Sequence, residues 1–374
     1  MKDHNKKGLS LAETIIAIGL ASLLMIITYT LFDITMKNYY RNEELNSNLD
    51  RARKIVPIIN RHLLNAGFGF PSGATFAVVS AGTGNVITSN ERADILFLAD
   101  YTAFNNTPTN IRRRDIFFTP RSFSTSGNQF NLQIDRLNGE DDGTIDNNYF
   151  GLNINSFRVG SGIIFLSYYI YNPSSPSPAP NNSIRQNFAQ IKAVGIITAR
   201  NGNQLRGEII GPHRLSIADN FPAAYQMVTS NGITNFSGVI PAIIIGINDN
   251  NDSPLFINSS RNNQRVLDDA AFFKIFYRYN DGTVVFSQDT LTNNNQNIVL
   301  DSSAVLQRYV DSIGYVLIFR ERRRRTDANW MQRNIRFVTR GIDVQFTFNN
   351  ERRTHHILSD EVKLFNIYNR NNFQ

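Results

Sequence analysis

The sequence predicts an α+β protein, with one long N-terminal helix and a large, mostly antiparallel β-rich head. An almost uncharged run of membrane length begins near the N-terminus and continues into an amphipathic stretch. Further along, short segments rich in Val, Ile, Phe and Tyr alternate with Asn, Gly, Ser and Pro, which is typical of strands separated by turns. We therefore expect a helix over residues 9–66 and a head over residues 67–374.

The first part of this helix is long and apolar enough to cross a bilayer. Between residues 9 and 32 the ionisable side chains are Glu13 and Tyr29, and about 24 residues of α-helix rise about 36 Å. Lys6 and Lys7 stand in a basic flank before it, which the positive-inside bias keeps in the cytoplasm. We expect a single-pass anchor in membrane lipid, with the head on the outer side.

Glu13 is the feature that needs an explanation. A charged side chain near the centre of the bilayer costs about 2.5–3.5 kcal/mol on insertion scales, so a carboxylate retained there should have a partner. Glu13 is in the first turn of the predicted helix, where the helix dipole favours an anion. A positively charged group placed close to Glu13 would offset this cost.

Residues 7–13, with the sequence KGLSLAE, and the apolar run after them resemble the class III signal of type IV pilins and of the related type II secretion pseudopilins. The resemblance implies a leader over residues 1–8, cleavage by prepilin peptidase between Gly8 and Leu9, and N-methylation of Leu9. The new amine of Leu9 would be the partner of Glu13 in an adjacent subunit. Leucine departs from the commoner phenylalanine at this first mature position.

Three further segments are similar to PilW-type minor pilins: RHLLNAGFG at residues 61–69, ADILFLAD at 93–100 and EVKLFNIYNRN at 361–371. This resemblance implies a minor pilin that is held in the inner membrane before assembly. There it would join other minor and major pilins on the inner-membrane assembly platform and prime pilus assembly, and it would stay at the tip of the surface pilus. Two alternatives remain: a J-type pseudopilin of a type II secretion system, and a pilus-associated adhesin or DNA-binding subunit.

The helix is expected to leave the membrane and dock onto the head. Six apolar residues recur at alternating spacings of four and three, which predicts a single apolar stripe: Leu45, Leu49, Ala52, Val56, Ile59 and Leu63. Pro57 is expected to bend or interrupt the helix because it lacks an N–H. The nearby Gly67, Gly69 and Pro71 are expected to end it.

The head is read as a series of strands. We predict strands over residues 75–80, 94–99, 115–119, 162–171, 191–199, 239–247, 313–319 and 335–348, and a hairpin of 272–279 with 283–287. The hairpin prediction is the strongest, because Asn280, Asp281 and Gly282 tolerate the positive φ of tight turns. Proline-containing stretches at 173–180 and 212–222 are candidate boundaries between two subdomains of the head.

An acidic segment at residues 138–146 is a candidate Ca²⁺ site. Its oxygen-bearing side chains alternate around a glycine, as at the start of a calcium loop, and the candidate ligands are Asn138, Glu140, Asp142 and Asp146. Tyr149 stands where an EF-hand would place its bidentate glutamate, which argues against a true EF-hand. A solvated acidic turn is the favoured interpretation, with the calcium loop as the alternative.

The formal net charge of +7 is concentrated in arginine clusters, the densest of which is Arg322, Arg323, Arg324 and Arg325. Such a basic surface could bind nucleic acid, and Trp330 could stack on bases. A solvated loop or a contact with a protein partner is the more common role of a charge run. No nucleic-acid-binding module accompanies it.

Catalysis has little support in the sequence. There is no G-x-S-x-G, phosphate-loop or H-E-x-x-H pattern, and the adjacent His355 and His356 lack an evident third ligand. We expect no enzymatic activity. The chain has no cysteine, so we expect a large apolar core, or a bound metal, to stabilise the exported head in place of disulfides.

Overall fold

A computed structural model describes residues 10–71, 74–79, 86–88, 93–104, 116–137, 152–171, 188–211, 225–229, 233, 236–247, 254–279, 281–286, 310–320, 332–339, 342–351 and 355–363. It contains one long apolar N-terminal helix and a large antiparallel β-sheet, which confirms the α+β prediction. The chain forms two compact units, Met1–Lys54 and Ile55–Gln374.

Helix α1 runs from Leu11 to Asn65 and includes Pro57, so of the two expected effects of this proline, a bend or an interruption, the interruption does not occur. The helix ends where predicted, because Gly67 and Gly69 adopt φ values of 74° and 83°, a region that favours glycine. A Cβ on Gly67 would also lie 2.9 Å from Oγ1 of Thr75. Both the backbone conformation and the packing therefore require glycine at the end of α1.

The buried stripe on the last turns of α1 differs from the predicted one in one position. Ile55, Ile59 and Leu63 are buried, whereas Val56 is only half-buried. Residues spaced by four and three lie along one side of a helix. Ile55, four residues before Ile59, is therefore on the buried side of α1. The predicted positions Leu45, Leu49 and Ala52 belong to α1, but their side chains lie outside the description.

The strands are β1 Phe76–Val79, β2 Val86–Thr88, β3 Ile95–Ala99, β4 Phe118–Ser126, β5 Gln129–Leu137, β6 Gly162–Tyr171, β7 Phe188–Asn201, β8 Gln204–Gly211, β9 Tyr225–Met227, β10 Gly238–Ile247, β11 Leu255–Asn258, β12 Asn263–Leu267, β13 Ala270–Tyr279, β14 Val284–Phe286, β15 Val310–Arg320, β16 Gln332–Thr339, β17 Ile342–Glu351 and β18 His355–Lys363. The predicted hairpin is confirmed as β13 paired with β14.

Two strand predictions differ from the observed strands by more than a few residues at one end. The strand expected over 335–348 is two strands, β16 and β17, which pair with each other in antiparallel register from Thr339 and Ile342 outward. The strand expected over 115–119 begins at Phe118 and continues to Ser126. Pro120, which discouraged a longer strand, lies where the β4–β5 register shifts, and such irregularities accommodate proline.

Six antiparallel strands of the largest sheet close into a barrel. The order β10–β4–β5–β8–β7–β6 is completed by a second pairing of β6 with β10. Strand β10 makes this possible because Gly238–Ala242 pair with β6, whereas Ile244–Ile247 pair with β11. The barrel thus continues through β10 into an extension of the sheet formed with β1, β3, β11 and β12.

Phenylalanine rings fill the barrel. Phe165 lies 5.3 Å from both Phe130 and Phe236, and Phe123 lies 5.0 Å from Phe236, measured between ring centroids. These edge-on arrangements are favourable for aromatic pairs. The ring of Phe130 also occupies the space that a Cβ on Gly207 would need, since the two would be 2.6 Å apart.

A second core joins the last turns of α1 to two sheets of the head. Ile59 and Leu63 share one apolar cluster with Leu98 and Ile243 of the barrel extension and with Tyr315 of the four-stranded sheet β14–β13–β15–β18. A third, smaller cluster includes Val344 of β17 together with Phe272 and Phe276 of β13. In that region β17 also pairs with β2 in parallel register.

Candidate functional site

The N-terminal end of α1 is built around Ser10 and Glu13. The backbone N–H of Glu13 donates to Oγ of Ser10 at 3.2 Å, and the backbone N–H of Ser10 donates to Oε2 of Glu13 at 2.9 Å. This reciprocal pair is a capping box, which satisfies backbone donors that the first turn of a helix leaves without partners. The local sequence therefore starts the helix within two residues of Leu9.

The capping box also fixes the carboxylate. One oxygen of Glu13 is occupied by the Ser10 N–H, while among the described residues Oε1 accepts no hydrogen bond. A carboxylate can accept at both of its oxygens. Glu13 is therefore held against the positive end of the helix dipole with one oxygen still able to accept a charged donor.

The remaining polar side chains of the apolar segment bond to their own helix. The hydroxyls of Ser22 and Thr30 donate to carbonyl oxygens four residues earlier, Ile18 and Ile26, each at 2.8 Å. Thr14 does the same with the carbonyl of Ser10 at 3.2 Å. Within this segment, Glu13 is therefore the charged group that a neighbouring molecule could meet.

The surface around Glu13 is apolar and exposed. Large side chains point outward along the segment, from Leu11, which is 80 % exposed, to Phe32, which is 62 % exposed. In the described part of the chain, Leu11–Glu44 is the one helical stretch long and apolar enough to cross a membrane. An ion pair of Lys37 with Asp33, at 2.7 Å, follows directly after the apolar run.

Several residues proposed from the sequence lie outside the described ranges. These are the processing positions Gly8 and Leu9, the candidate calcium ligands Asn138, Glu140, Asp142 and Asp146, and the arginines Arg322, Arg323, Arg324 and Arg325. Among the described residues, no group of three or more His, Asp or Glu side chains is placed to hold a metal ion. The processing, calcium and arginine sites therefore stay predictions from the sequence.

The adjacent histidines are placed on β18 and have separate surroundings. His355 is buried, and the ring of His356 lies 5.3 Å from that of Phe319 between centroids. Neighbouring residues of a strand point to opposite faces of the sheet. The two imidazoles therefore do not act as a pair.

Sequence reasoning identified Glu13 but overlooked Ser10. The signal was present, because Ser10-Leu11-Ala12-Glu13 followed by an apolar run has the S-x-x-E spacing of a capping box. A second omission concerns β5 and β8, whose alternating apolar and polar residues are typical of strands with one buried face.

No protein-family model, no curated protein and no solved structure matches this chain.

Proposed function

We propose that this protein is a minor subunit of a type IV pilus, held in the inner membrane by α1 and processed by prepilin peptidase between Gly8 and Leu9. The observation that carries the proposal is the position of Glu13, the one carboxylate of an exposed apolar helix, at the first turn and with Oε1 still able to accept a donor. The pilin-like sequence of residues 7–13 supports the same conclusion.

The proposed assembly step pairs Glu13 with the amine of Leu9 in a neighbouring subunit. Before assembly, the N–H of Ser10 stabilises Oε2 of Glu13, which lowers the cost of holding a carboxylate near lipid. Cleavage would place a new ammonium one residue before Ser10, at the start of the helix. Oε1 could then accept a charge-assisted hydrogen bond from the ammonium of the adjacent subunit.

The two capped ends would meet only when subunits lie at the correct axial stagger. Breaking a buried ion pair by removing one partner costs about 3–5 kcal/mol, so an adjacent helix shifted along the filament would be strongly disfavoured. The exposed apolar side chains of the segment would supply the lateral packing between helices. In this proposal Glu13 determines the register and the apolar surface determines the affinity.

The test compares Glu13→Gln with Glu13→Ala. Glutamine can still accept from the Ser10 N–H and keep the capping box, but it has no charge, whereas alanine loses both. If the charge drives assembly, both variants should be processed normally and both should fail to form pili. Glu43→Gln is the matched control, because Glu43 is an exposed carboxylate of the same helix outside the apolar run.

Mass spectrometry of the native N-terminus and electron microscopy of surface pili are the two measurements. A chain that still begins at Met1 would remove the processing step. Normal piliation of the Glu13→Gln strain would show that the cap, and not the charge, is what assembly needs.

The J-type pseudopilin alternative uses the same anchor and the same carboxylate. It predicts that Glu13→Gln stops export of proteins by a type II secretion system and leaves pili intact. Measuring secretion and piliation in the same strain therefore separates the two assemblies.

A further inference from the structure

Asp94 is held against strand β13 by three contacts. Its backbone N–H donates to the carbonyl of Phe273 at 2.9 Å, and its Oδ2 accepts the backbone N–H of Ile275 at 2.7 Å. Its other carboxylate oxygen, Oδ1, lies 3.2 Å from Nζ of Lys274. The carboxyl group is therefore fixed in position, with one oxygen bound to the backbone and the other facing an amine.

The surroundings of this contact are apolar. The side chains of Lys274 and Asp94 are 2 % and 0 % exposed. Phe272 and Phe276 lie on the same side of β13 as Lys274, because alternate residues of a strand share a face. Both belong to one buried apolar cluster with Val316, which is opposite Lys274 in β15. The amine and the carboxyl group are therefore shielded from bulk water.

Burial of two charges does not by itself explain the pair. Replacing a buried ion pair by apolar residues of similar volume is often neutral or stabilising. Lys363 and Asp311 provide a comparison within the same sheet, because their Nζ and Oδ2 are 3.3 Å apart but the side chains are 72 % and 18 % exposed. Water stabilises the charges of that pair, whereas an apolar interior favours neutral forms. A proton passed from ammonium to carboxylate in the buried pair leaves an amine beside a carboxylic acid.

We propose that Lys274 and Asp94 condense into an intramolecular amide bond. After the proton transfer, the neutral amine of Lys274 attacks Cγ of Asp94. The N–H of Ile275 stabilises the negative charge that develops on Oδ2 in the tetrahedral intermediate. A proton then passes from the nitrogen to the Oδ1 hydroxyl and the Cγ–Oδ1 bond breaks. One water leaves, and the Nζ–Cγ amide remains.

The fixed geometry favours this condensation. Well-oriented intramolecular reactions have effective molarities of about 10⁵–10⁸ M, and the three contacts of Asp94 hold its carboxyl group next to the amine. The apolar surroundings also keep water from the amide, which slows the reverse hydrolysis. The ion pair is therefore the reactant state of the bond.

The bond gives the head a covalent cross-link without cysteine. It joins residues 180 positions apart in the chain and connects the segment before β3 to the four-stranded sheet. Closing so long a loop restricts the unfolded chain in the way that a disulfide does. This modification goes beyond the assembly role of Glu13 and is independent of it.

The test is peptide mapping of the full-length protein, purified in detergent, denatured and digested with trypsin. Asp94 belongs to the tryptic peptide 93–112, and Lys274 ends the peptide 266–274. Trypsin does not cut after an acylated lysine, so the cross-linked chain should give one branched species that joins 93–112 to 266–278. Its mass should be the sum of the two peptides less one water.

Recovery of 93–112 and 266–274 as separate, unmodified peptides, with no branched species, would overturn the proposal. An aspartimide at Asp281–Gly282 also loses one water, but it does not join two peptides, and tandem mass spectrometry separates the two products. Loss of water without a branched peptide therefore also counts against the cross-link.

Lys274→Arg is the variant, and Lys363→Arg is its matched control. Arginine keeps the positive charge beside Asp94, but its guanidinium is not deprotonated in proteins, so the branched species should be absent. The control changes the lysine of the solvated pair and should leave the branched species unchanged. A branched peptide that persists in Lys274→Arg would assign the bond to another residue and refute the proposal. The unmodified protein alone decides whether the bond exists, so a variant that misfolds does not leave the question open.

Discussion

Lys274 and Asp94 form an ion pair in the interior of the head. Nζ of Lys274 lies 3.2 Å from Oδ1 of Asp94, and the two side chains are 2 % and 0 % exposed. Oδ2 of Asp94 accepts the backbone N–H of Ile275 at 2.7 Å, and the N–H of Asp94 donates to the carbonyl of Phe273 at 2.9 Å. This cluster connects the start of β3 to β13 and so joins the barrel extension to the four-stranded sheet.

Asp94→Ala should lower the free energy of unfolding by about 3–5 kcal/mol, because the ammonium of Lys274 would stay buried without this carboxylate. The double variant Asp94→Ala with Lys274→Met should recover part of the loss, since Met fills a similar volume without charge. Urea unfolding of the full-length protein in detergent measures both. A single variant with unchanged stability would show that other partners of Lys274 suffice.

Ser10→Ala should loosen the start of α1 without unfolding the head. Loss of an N-cap side chain costs about 1 kcal/mol, which corresponds to roughly fivefold faster hydrogen exchange at the amide of Glu13. Ser10→Thr keeps the hydroxyl and should keep the slow exchange. NMR exchange in micelles measures the effect, and equal rates in all three proteins would mean that the capping box does not form.

Gly314→Ala should destabilise the four-stranded sheet. Gly314 lies opposite Phe276 in the β13–β15 pair, and a Cβ there would be 2.1 Å from the Phe276 ring. Overpacking of this kind costs about 1–3 kcal/mol. Adding Phe276→Leu should make the alanine less damaging. Gly246→Ala is the control, because its nearest neighbour would be at an ordinary 3.5 Å, and thermal unfolding should separate the two alanine variants.

His62 should make the head less stable as the pH falls. The pKa of His62 is lowered below its usual value near 6.5 chiefly by burial, with Arg61 adding to the shift and Asp100 opposing it. Tyr101 lies beside the ring, with its hydroxyl 3.4 Å from Nδ1. Below about pH 6.5 the unfolded chain therefore binds a proton that the folded chain resists, and the free energy of unfolding decreases.

The measurement is urea unfolding between pH 7.5 and about 5. His62→Gln should reduce the slope over this range. If the slope survives in the His62 variant, another group is responsible. Carboxylates contribute mainly at lower pH, which keeps their effect separate.

Local sequence patterns predict much of the fold. The apolar run and the glycines at residues 67 and 69 predict where α1 ends, and Asn280, Asp281 and Gly282 predict the β13–β14 hairpin. The strand over 162–171 has the predicted bounds. These features depend on backbone preferences and on periodicity, which neighbouring residues specify by themselves.

The strand partners could not be read in the same way. Nothing around Gly238 or Ile247 indicates that one end of β10 pairs with β6 and the other with β11, yet this division closes the barrel. Strand β5 was missed because its polar residues, such as Gln129 and Asn131, weaken a propensity-based prediction. The apolar residues of β5 stabilise the strand through contacts that form only when the barrel is assembled.

The sequence by itself determined the membrane-length helix, its lone carboxylate at Glu13 and the β-rich character of the head. Tertiary structure decided the closure of the barrel, the burial of Asp94 beside Lys274 and the alignment of Asn131 with Arg206. The reason is physical: helix and turn formation involve residues close in the chain, whereas these pairings join residues 72 to 180 positions apart. Their free energy depends on the assembled core.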